Sequence, residues 1–343
     1  MIERLGGYLR PLGWRGKTPA DDALGDALLF ERDRRVTSFD GTEIAYSLHG
    51  ESGPWVVLVP GLFCPDNFWR YLLPELATDH RVVVWDLRGL GLSGMPRAPG
   101  YRALNLSPED FSIGGQARDL VAVLDAEGIE KAALIGHSMG GQVVLETYRL
   151  ARARVSSIVM LTAPFESPLK TFYGRDFNNL FRAARTAATL VPRPAFAFAW
   201  RSLFLLNPSV THQLAQITRA LGPDARVEDM ATYYRHMAYL DPLVMLMMAE
   251  AMRVHSAADV LPTIAVPTLI ISGTLDTFTP PAQAERMRAE TPGAELVTID
   301  GASHGAVIEK PLEVNDAITS FLRRHESPGT DGVTDVSPAS TNE

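Results

Sequence analysis

Three side chains far apart in the chain have the types needed to activate a hydroxyl group: Ser138, Asp276 and His304. Ser138 lies in Gly136-His137-Ser138-Met139-Gly140, a G-x-S-x-G pattern that is weak evidence by itself and strong only in a strand–turn–helix setting. That setting is present. Lys131 to Ile135 reads as a buried strand, and Gln142 to Tyr148 has the apolar spacing of a helix packed on a sheet. So tight a turn holds the serine in a strained backbone conformation, and the glycines two residues to either side keep side chains clear of strand and helix. The following helix aims its positive end at the reaction centre and favours an oxyanion there. A serine hydroxyl is a poor nucleophile at neutral pH, so an imidazole, here His304, must take its proton during attack. Asp276 would fix the imidazole's tautomer and stabilise the imidazolium that forms. This is the chemistry of acyl transfer through a covalent acyl-enzyme.

The surrounding elements must bring these three residues together. Arg34 to Phe39 and Thr42 to Leu48 read as strands joined by Asp40-Gly41, a strong hairpin signal. Trp55 to Val59 is a continuous apolar strand, followed by Pro60-Gly61-Leu62-Phe63 and a helical stretch through Ala77. Arg81 to Trp85 is the next strand, and a helix is expected from about Phe111 to Gly128. Further strands are expected at Ser157 to Leu161, Pro267 to Ser272 and Glu295 to Ile299. Strands alternating with helices predict a mostly parallel sheet covered on both faces. Ligands bind beyond the carboxyl ends of such strands. Ser138, Asp276 and His304 each follow the end of one strand, so all three are expected at one edge of the sheet.

Four motifs carry a resemblance: GHSMGG around Ser138, DLRGLGLSG from Asp86, GTLDTFTP around Asp276 and GASH ending at His304. Together they resemble serine hydrolases of the α/β-hydrolase fold, esterases and lipases among them, over roughly Arg34 to Arg324 apart from an insertion. The chain order of nucleophile, acid and histidine is the one expected of that fold. The resemblance implies that the backbone amides of Met139 and Leu62 form the oxyanion hole, with Phe63 as the alternative to Leu62. One departure stands out: the family usually has His-Gly after its third strand, and this chain has Pro60-Gly61.

Composition sets bounds on the remaining readings. The 343 residues are 46% hydrophobic and 21% charged, as in globular proteins, and suffice for one large α/β domain with an insertion. A net charge of −8 and the lack of a lysine/arginine stripe give no footprint for nucleic acid. The single cysteine, Cys64, rules out an internal disulfide framework and fits a reducing, cytoplasmic setting. No Cys/His cluster has zinc-ligand spacing, so neither metal nor cofactor is expected. Cys64 reads as a small packed side chain and not as a nucleophile. His137 is expected to face away from Ser138 in a structural role, and Asp86 and Arg88 to build a structural loop.

The expected organisation is an N-terminal extension over 1–30, a first core part over 31–165, a helical cap over 166–257, a second core part over 258–325 and a disordered tail over 326–343. The extension lacks the apolar stretch of a signal peptide. Ile2, Leu5, Leu9 and Leu12 could share a helical face, so the extension, or the cap, could touch a membrane surface; the competing reading is an arm packed on its own domain. In the cap, helical spacing links Phe177, Leu180, Phe181 and Ala184, then Val210, Leu214, Ile217 and Leu221, and Asp241-Pro242 reads as a helix start. Six of the eleven methionines fall between Met230 and Met252. They suit a pocket for an acyl chain, or they join the cap to the core. The expected function is hydrolysis of a small hydrophobic carboxylic ester. Acyl transfer to another acceptor, cofactor-free perhydrolysis, carbon–carbon bond hydrolysis and non-catalytic ligand reception remain alternatives on the same fold. Oligomeric state is not legible.

Overall fold

Five consecutive apolar residues at Trp55–Val59 and four more after Arg81 in Arg81–Trp85 leave no polar face, so these strands need cover on both sides. The computed structural model describes residues 29–96, 106–188, 190–205, 208–217 and 221–326. Its strands are β1 (Arg34–Thr37), β2 (Glu43–His49), β3 (Trp55–Val59), β4 (Arg81–Trp85), β5 (Ala132–His137), β6 (Val155–Leu161), β7 (Thr268–Gly273) and β8 (Glu295–Ile299). Helices α1 (Leu72–Leu76), α2 (Ile113–Ala126) and α3 (Met139–Leu150) lie between the early strands. Helices α4 (Asn178–Ala188), α5 (Arg193–Leu205), α6 (Pro208–Ile217), α7 (Val227–Tyr239) and α8 (Pro242–Val254) lie between β6 and β7. The chain continues with α9 (Pro281–Glu290), α10 (Ala306–Glu309) and α11 (Pro311–His325).

The eight strands form one sheet in the order β1-β2-β4-β3-β5-β6-β7-β8. β1 and β2 pair antiparallel, as does β2 with β4, and all later neighbours are parallel. Because side chains alternate along a strand, β3, β4 and β5 each feed two cores. Val57, Val59, Val83 and Leu134 pack with Leu120, Val123 and Leu124 of α2 on one face. Val56, Leu58, Val82, Val84, Ala133 and Ile135 pack with α1 and with Ile318, Phe321 and Leu322 of α11 on the other.

Several boundaries differ from the sequence expectation. β1 ends at Thr37 instead of Phe39, because Ser38 to Thr42 close the turn: Ser38 N–H donates to Thr42 O, and Gly41 has φ 84°. β5 runs on to His137, and α3 begins at Met139 instead of Gln142, so a single residue separates them. The helical stretch expected up to Ala77 is a 3₁₀ turn at Asp66–Trp69 and the short α1. Pro74 has no amide hydrogen and is tolerated only in a first helical turn, which fixes where α1 can start. The apolar N-terminal positions Ile2, Leu5, Leu9 and Leu12 and the tail from 327 lie outside the described residues.

Asp86 and Arg88 build the loop after β4. Asp86 accepts from Arg32 Nε and from Leu92 N–H. The fully buried Arg88 donates to both oxygens of buried Asp119 at 2.6 and 2.7 Å and to Asp40 at 2.8 Å. Breaking a buried pair on one side strands the other charge. Arg88→Met is therefore expected to lower the unfolding free energy by about 3–5 kcal/mol in urea titrations. A loss under about 1 kcal/mol, the range of an exposed pair, would remove this contact from the account.

Candidate active site

The turn between β5 and α3 is one residue long, and that residue is Ser138, at φ 52° and ψ −127°. Its N–H donates to Leu161 O at the end of β6. Gly140 shows why the elbow excludes side chains: a Cβ there would lie 2.2 Å from the Val59 carbonyl oxygen. Val59 ends β3, so the next loop passes directly beside the elbow. A Cβ on Gly61 would lie 2.9 Å from Ser138 Cβ and 3.0 Å from His137 Nδ1. Phe63 holds a positive φ of 65°, which turns this loop sharply. Among the described residues, none accepts a hydrogen bond from the backbone N–H of Leu62, Phe63 or Met139.

β7 and β8 end at Gly273 and Ile299, and the loops beyond them carry Asp276 and His304. The three expected residues meet. His304 Nδ1 is 3.0 Å from Asp276 Oδ2, and His304 Nε2 is 2.8 Å from Ser138 Oγ. A carboxylate can only accept, so Nδ1 carries the hydrogen and Nε2 is the acceptor facing the serine hydroxyl. Asp276 is buried and held from behind: Oδ1 accepts from the N–H groups of Phe278 and Thr279, and Oδ2 from Thr279 Oγ at 2.6 Å. The Phe278 ring stacks on the His304 imidazole with centroids 4.9 Å apart.

The backbone of the histidine loop is fixed as firmly as the side chain. The His304 carbonyl oxygen accepts from His137 Nε2 at 3.1 Å and from Thr162 Oγ at 3.2 Å. Buried Glu309 accepts from Ser303 N–H at 2.7 Å, from Ser303 Oγ at 2.5 Å and from Gly222 N–H at 2.8 Å. Gly222 belongs to the helical insertion, and Lys310 pairs with Asp224 beside it. The insertion is thus tied to the loop that carries His304. It is tied on the other side too: buried Asp229 accepts from Tyr71 Oη and pairs with Arg70, just after the 3₁₀ turn that follows the Pro60 loop.

Other expectations can be placed on this geometry. His137 is buried, faces away from Ser138 Oγ and bonds structurally. Cys64 keeps some surface, yet burial of its thiol pushes the pKa far up, so no thiolate competes with Ser138. Met230, Met237, Met245 and Met248 are buried in the two cores, where they join the insertion to the sheet. Thr162, Thr279 and Glu309 escape the sequence reading. A threonine three residues after Asp276 is a faint turn signal; the other two act through loops whose course only the fold reveals.

Two buried histidines give the fold a pH dependence. Burial holds His137 down at about 3, with a further push from His304, and burial holds His236 down at about 4, where Arg32 lowers it and Asp86 opposes. Unfolded histidine titrates near 6.5, so between that value and the folded values the unfolded chain binds more protons. Stability therefore falls as pH drops through this window, by about 1.4 kcal/mol per pH unit for each such histidine. Against the opposing effect of burial, Glu326 and Asp79 raise buried His80, which acts in the opposite sense, so the measurement is the difference in urea unfolding between the wild-type chain and His236→Gln from pH 7 down to 4.5; equal slopes would show that His236 is not held neutral.

Residues 54–311 match the model of a family described as the alpha/beta hydrolase fold. The chain is 28% identical, over 82% of its length, to the dihydrolipoyllysine-residue acetyltransferase component of the acetoin cleaving system of Pseudomonas putida, of which it spans 66%. Among solved structures, a thermophilic esterase from Thermogutta terrifontis superposes with a TM-score of 0.64 at 24% identity, over 85% of this chain and 99% of that one. The enol-lactonase from Burkholderia xenovorans superposes with a TM-score of 0.62 at 22% identity, over 84% and 100%. At such identities these structures speak for the fold alone. With three quarters of its residues inside the family match and the sheet order described above, the chain belongs to the alpha/beta hydrolases.

Proposed function

We propose that the chain is a serine hydrolase that cleaves a hydrophobic carboxylic ester through an acyl-enzyme, with Ser138 as nucleophile, His304 as base and Asp276 as its orienting acid. The observation that carries this reading is the unbroken line from Asp276 Oδ2 through the His304 ring to Ser138 Oγ, with contacts of 3.0 and 2.8 Å. In this line Ser138 Oγ attacks the ester carbonyl carbon as its proton passes to His304 Nε2. The carboxylate of Asp276 stabilises the resulting imidazolium through Nδ1–H. The carbonyl oxygen, now an oxyanion, takes the N–H groups of Met139 and Leu62, neither of which has an acceptor among the described residues. Collapse of this intermediate expels the alkoxide, which receives the proton from His304. Water then repeats the sequence on the acyl-serine and releases the acid.

Support for Leu62 comes from Gly61, which lies against Ser138 with no room for a side chain. Pro60 in place of the family's usual histidine does not disturb this approach, because the contact is made by Gly61. A second reading keeps the same acyl-enzyme and replaces water with another acceptor. The acetyltransferase name of one relative favours it, and product analysis in the presence of alcohols or thiols separates the two.

Kinetics on p-nitrophenyl esters test the assignment. Ser138→Ala and His304→Ala are each expected to lower kcat by at least about a thousandfold. Gly61→Ala pushes the donor loop off the elbow and is expected to cost about 10²–10³ in kcat with KM changed far less. Octanoate is expected to turn over faster than acetate; equal or better acetate turnover would remove the hydrophobic acyl preference.

A further inference from the structure

The first three helices of the insertion face solvent with the wrong residues. Leu180 on α4 is 64% exposed, Leu190 just after it 82%, Phe198 on α5 64% and Ile217 on α6 77%. Single exposed apolar side chains are ordinary, but three successive helices carrying them are not. α4 has no buried residue at all among those described, although an amphipathic helix ordinarily exists to bury its apolar stripe. α5 has two stripes. Trp200 and Phe204 pack inward, and Trp200 Nε1 donates to Met237 O at 2.7 Å. Ala195, Phe198, Ala199 and Leu203, at i, i+3, i+4 and i+8, are exposed and carry no charge. The inward stripe already anchors the helix, so the outward one has no partner within the described chain.

Charge separates in the same place. Residues 170–219 contain seven lysines and arginines against one aspartate, in a protein whose net charge is −8. Exposed Arg175 and Arg182 are among them. The acidic groups that face this region are few: Glu166 pairs with Lys170 and Arg286, Glu250 pairs with Arg253, and Asp176 caps the start of α4. A basic, apolar surface on an otherwise acidic protein is complementary to an interface that is negative outside and hydrocarbon inside.

We propose that the outer face of α4, α5 and α6 docks on an anionic lipid surface, with Leu180, Leu190, Phe198 and Ile217 entering the headgroup–acyl boundary and Arg175 and Arg182 at headgroup level. The apolar side chains project from separate helices among basic residues, which suits a fluid interface better than a second protein. No described helix is long and apolar enough to cross a membrane, so the contact is peripheral. The proposal requires no turnover and stands apart from the assignment of Ser138.

Co-sedimentation of the full chain with vesicles tests it, comparing phosphatidylcholine alone with a phosphatidylcholine/phosphatidylglycerol mixture. Binding to the mixed vesicles is expected to exceed that to neutral ones at least about tenfold and to weaken in high salt. The triple variant Leu190→Asp, Phe198→Asp, Ile217→Asp is expected to lose at least about tenfold in vesicle affinity. Arg182→Gln tests the charge term separately and is expected to reduce only the phosphatidylglycerol preference. Both variants should keep the wild-type melting curve and p-nitrophenyl acetate hydrolysis. Three results would overturn the proposal: no vesicle binding by the wild-type chain, binding untouched by the triple variant, which would place the contact elsewhere such as residues 1–28, or a dimer that the triple variant dissolves while vesicles bind neither form.

Discussion

The hydrogen bond between Ser138 Oγ and His304 Nε2 joins residues 166 positions apart, and the rest of the fold serves to make it short. Neither partner can reach the other unless β5, β7 and β8 run parallel and end at one edge, which the sheet order provides. The elbow adds strain at Ser138, and the surrounding packing must over-determine that conformation for it to persist. Gly140 against Val59 and the Ser138 N–H on Leu161 O show how: Ser138 is wedged between the ends of the two strands that flank its own.

The histidine loop is held differently. Its carbonyl group is gripped by His137 and Thr162, and its flank by Glu309, so orientation of the imidazole does not depend on Asp276 alone. Glu309 also bonds Gly222, and Asp229 bonds Tyr71, so the helical insertion is fastened to the loops on both sides of Ser138. A molecule entering beneath those helices would meet a surface whose geometry is coupled to the His304 loop on one side and to the Pro60 loop on the other.

Much of this was legible in the sequence, and the reason is periodicity. Apolar runs such as WVVLV and RVVVW can only be strands buried on both faces, and residues that follow such strands fall at the carboxyl edge. Ser138, Asp276 and His304 could be found because each lies in the turn or loop that follows a strand, Ser138 at once and the other two a few residues on. Thr162 also follows a strand end, yet its part depends on a φ of 42° and on where the histidine loop passes, which no motif or spacing announces. Glu309 looked like any helical glutamate until the chain folded Ser303 and Gly222 around it. The methionines were ambiguous for another reason: a flexible apolar side chain fits a pocket and a core equally well in sequence, and burial decided for the core at Met237, Met245 and Met248. The apolar outer stripe of α5 was hidden likewise, because AFAFAWRSLFLL is apolar but for Arg201 and Ser202 and only packing separates its faces.

The central claim is a covalent one: acyl chemistry passes through Ser138 while Cys64, whose thiol burial holds protonated, stays silent. Rapid quenching during p-nitrophenyl octanoate turnover, followed by intact and peptide mass spectrometry, tests it most directly. The account predicts an added octanoyl mass on the peptide containing Ser138 and none in Ser138→Ala. An adduct on another residue, or undiminished turnover by Ser138→Ala, would contradict it.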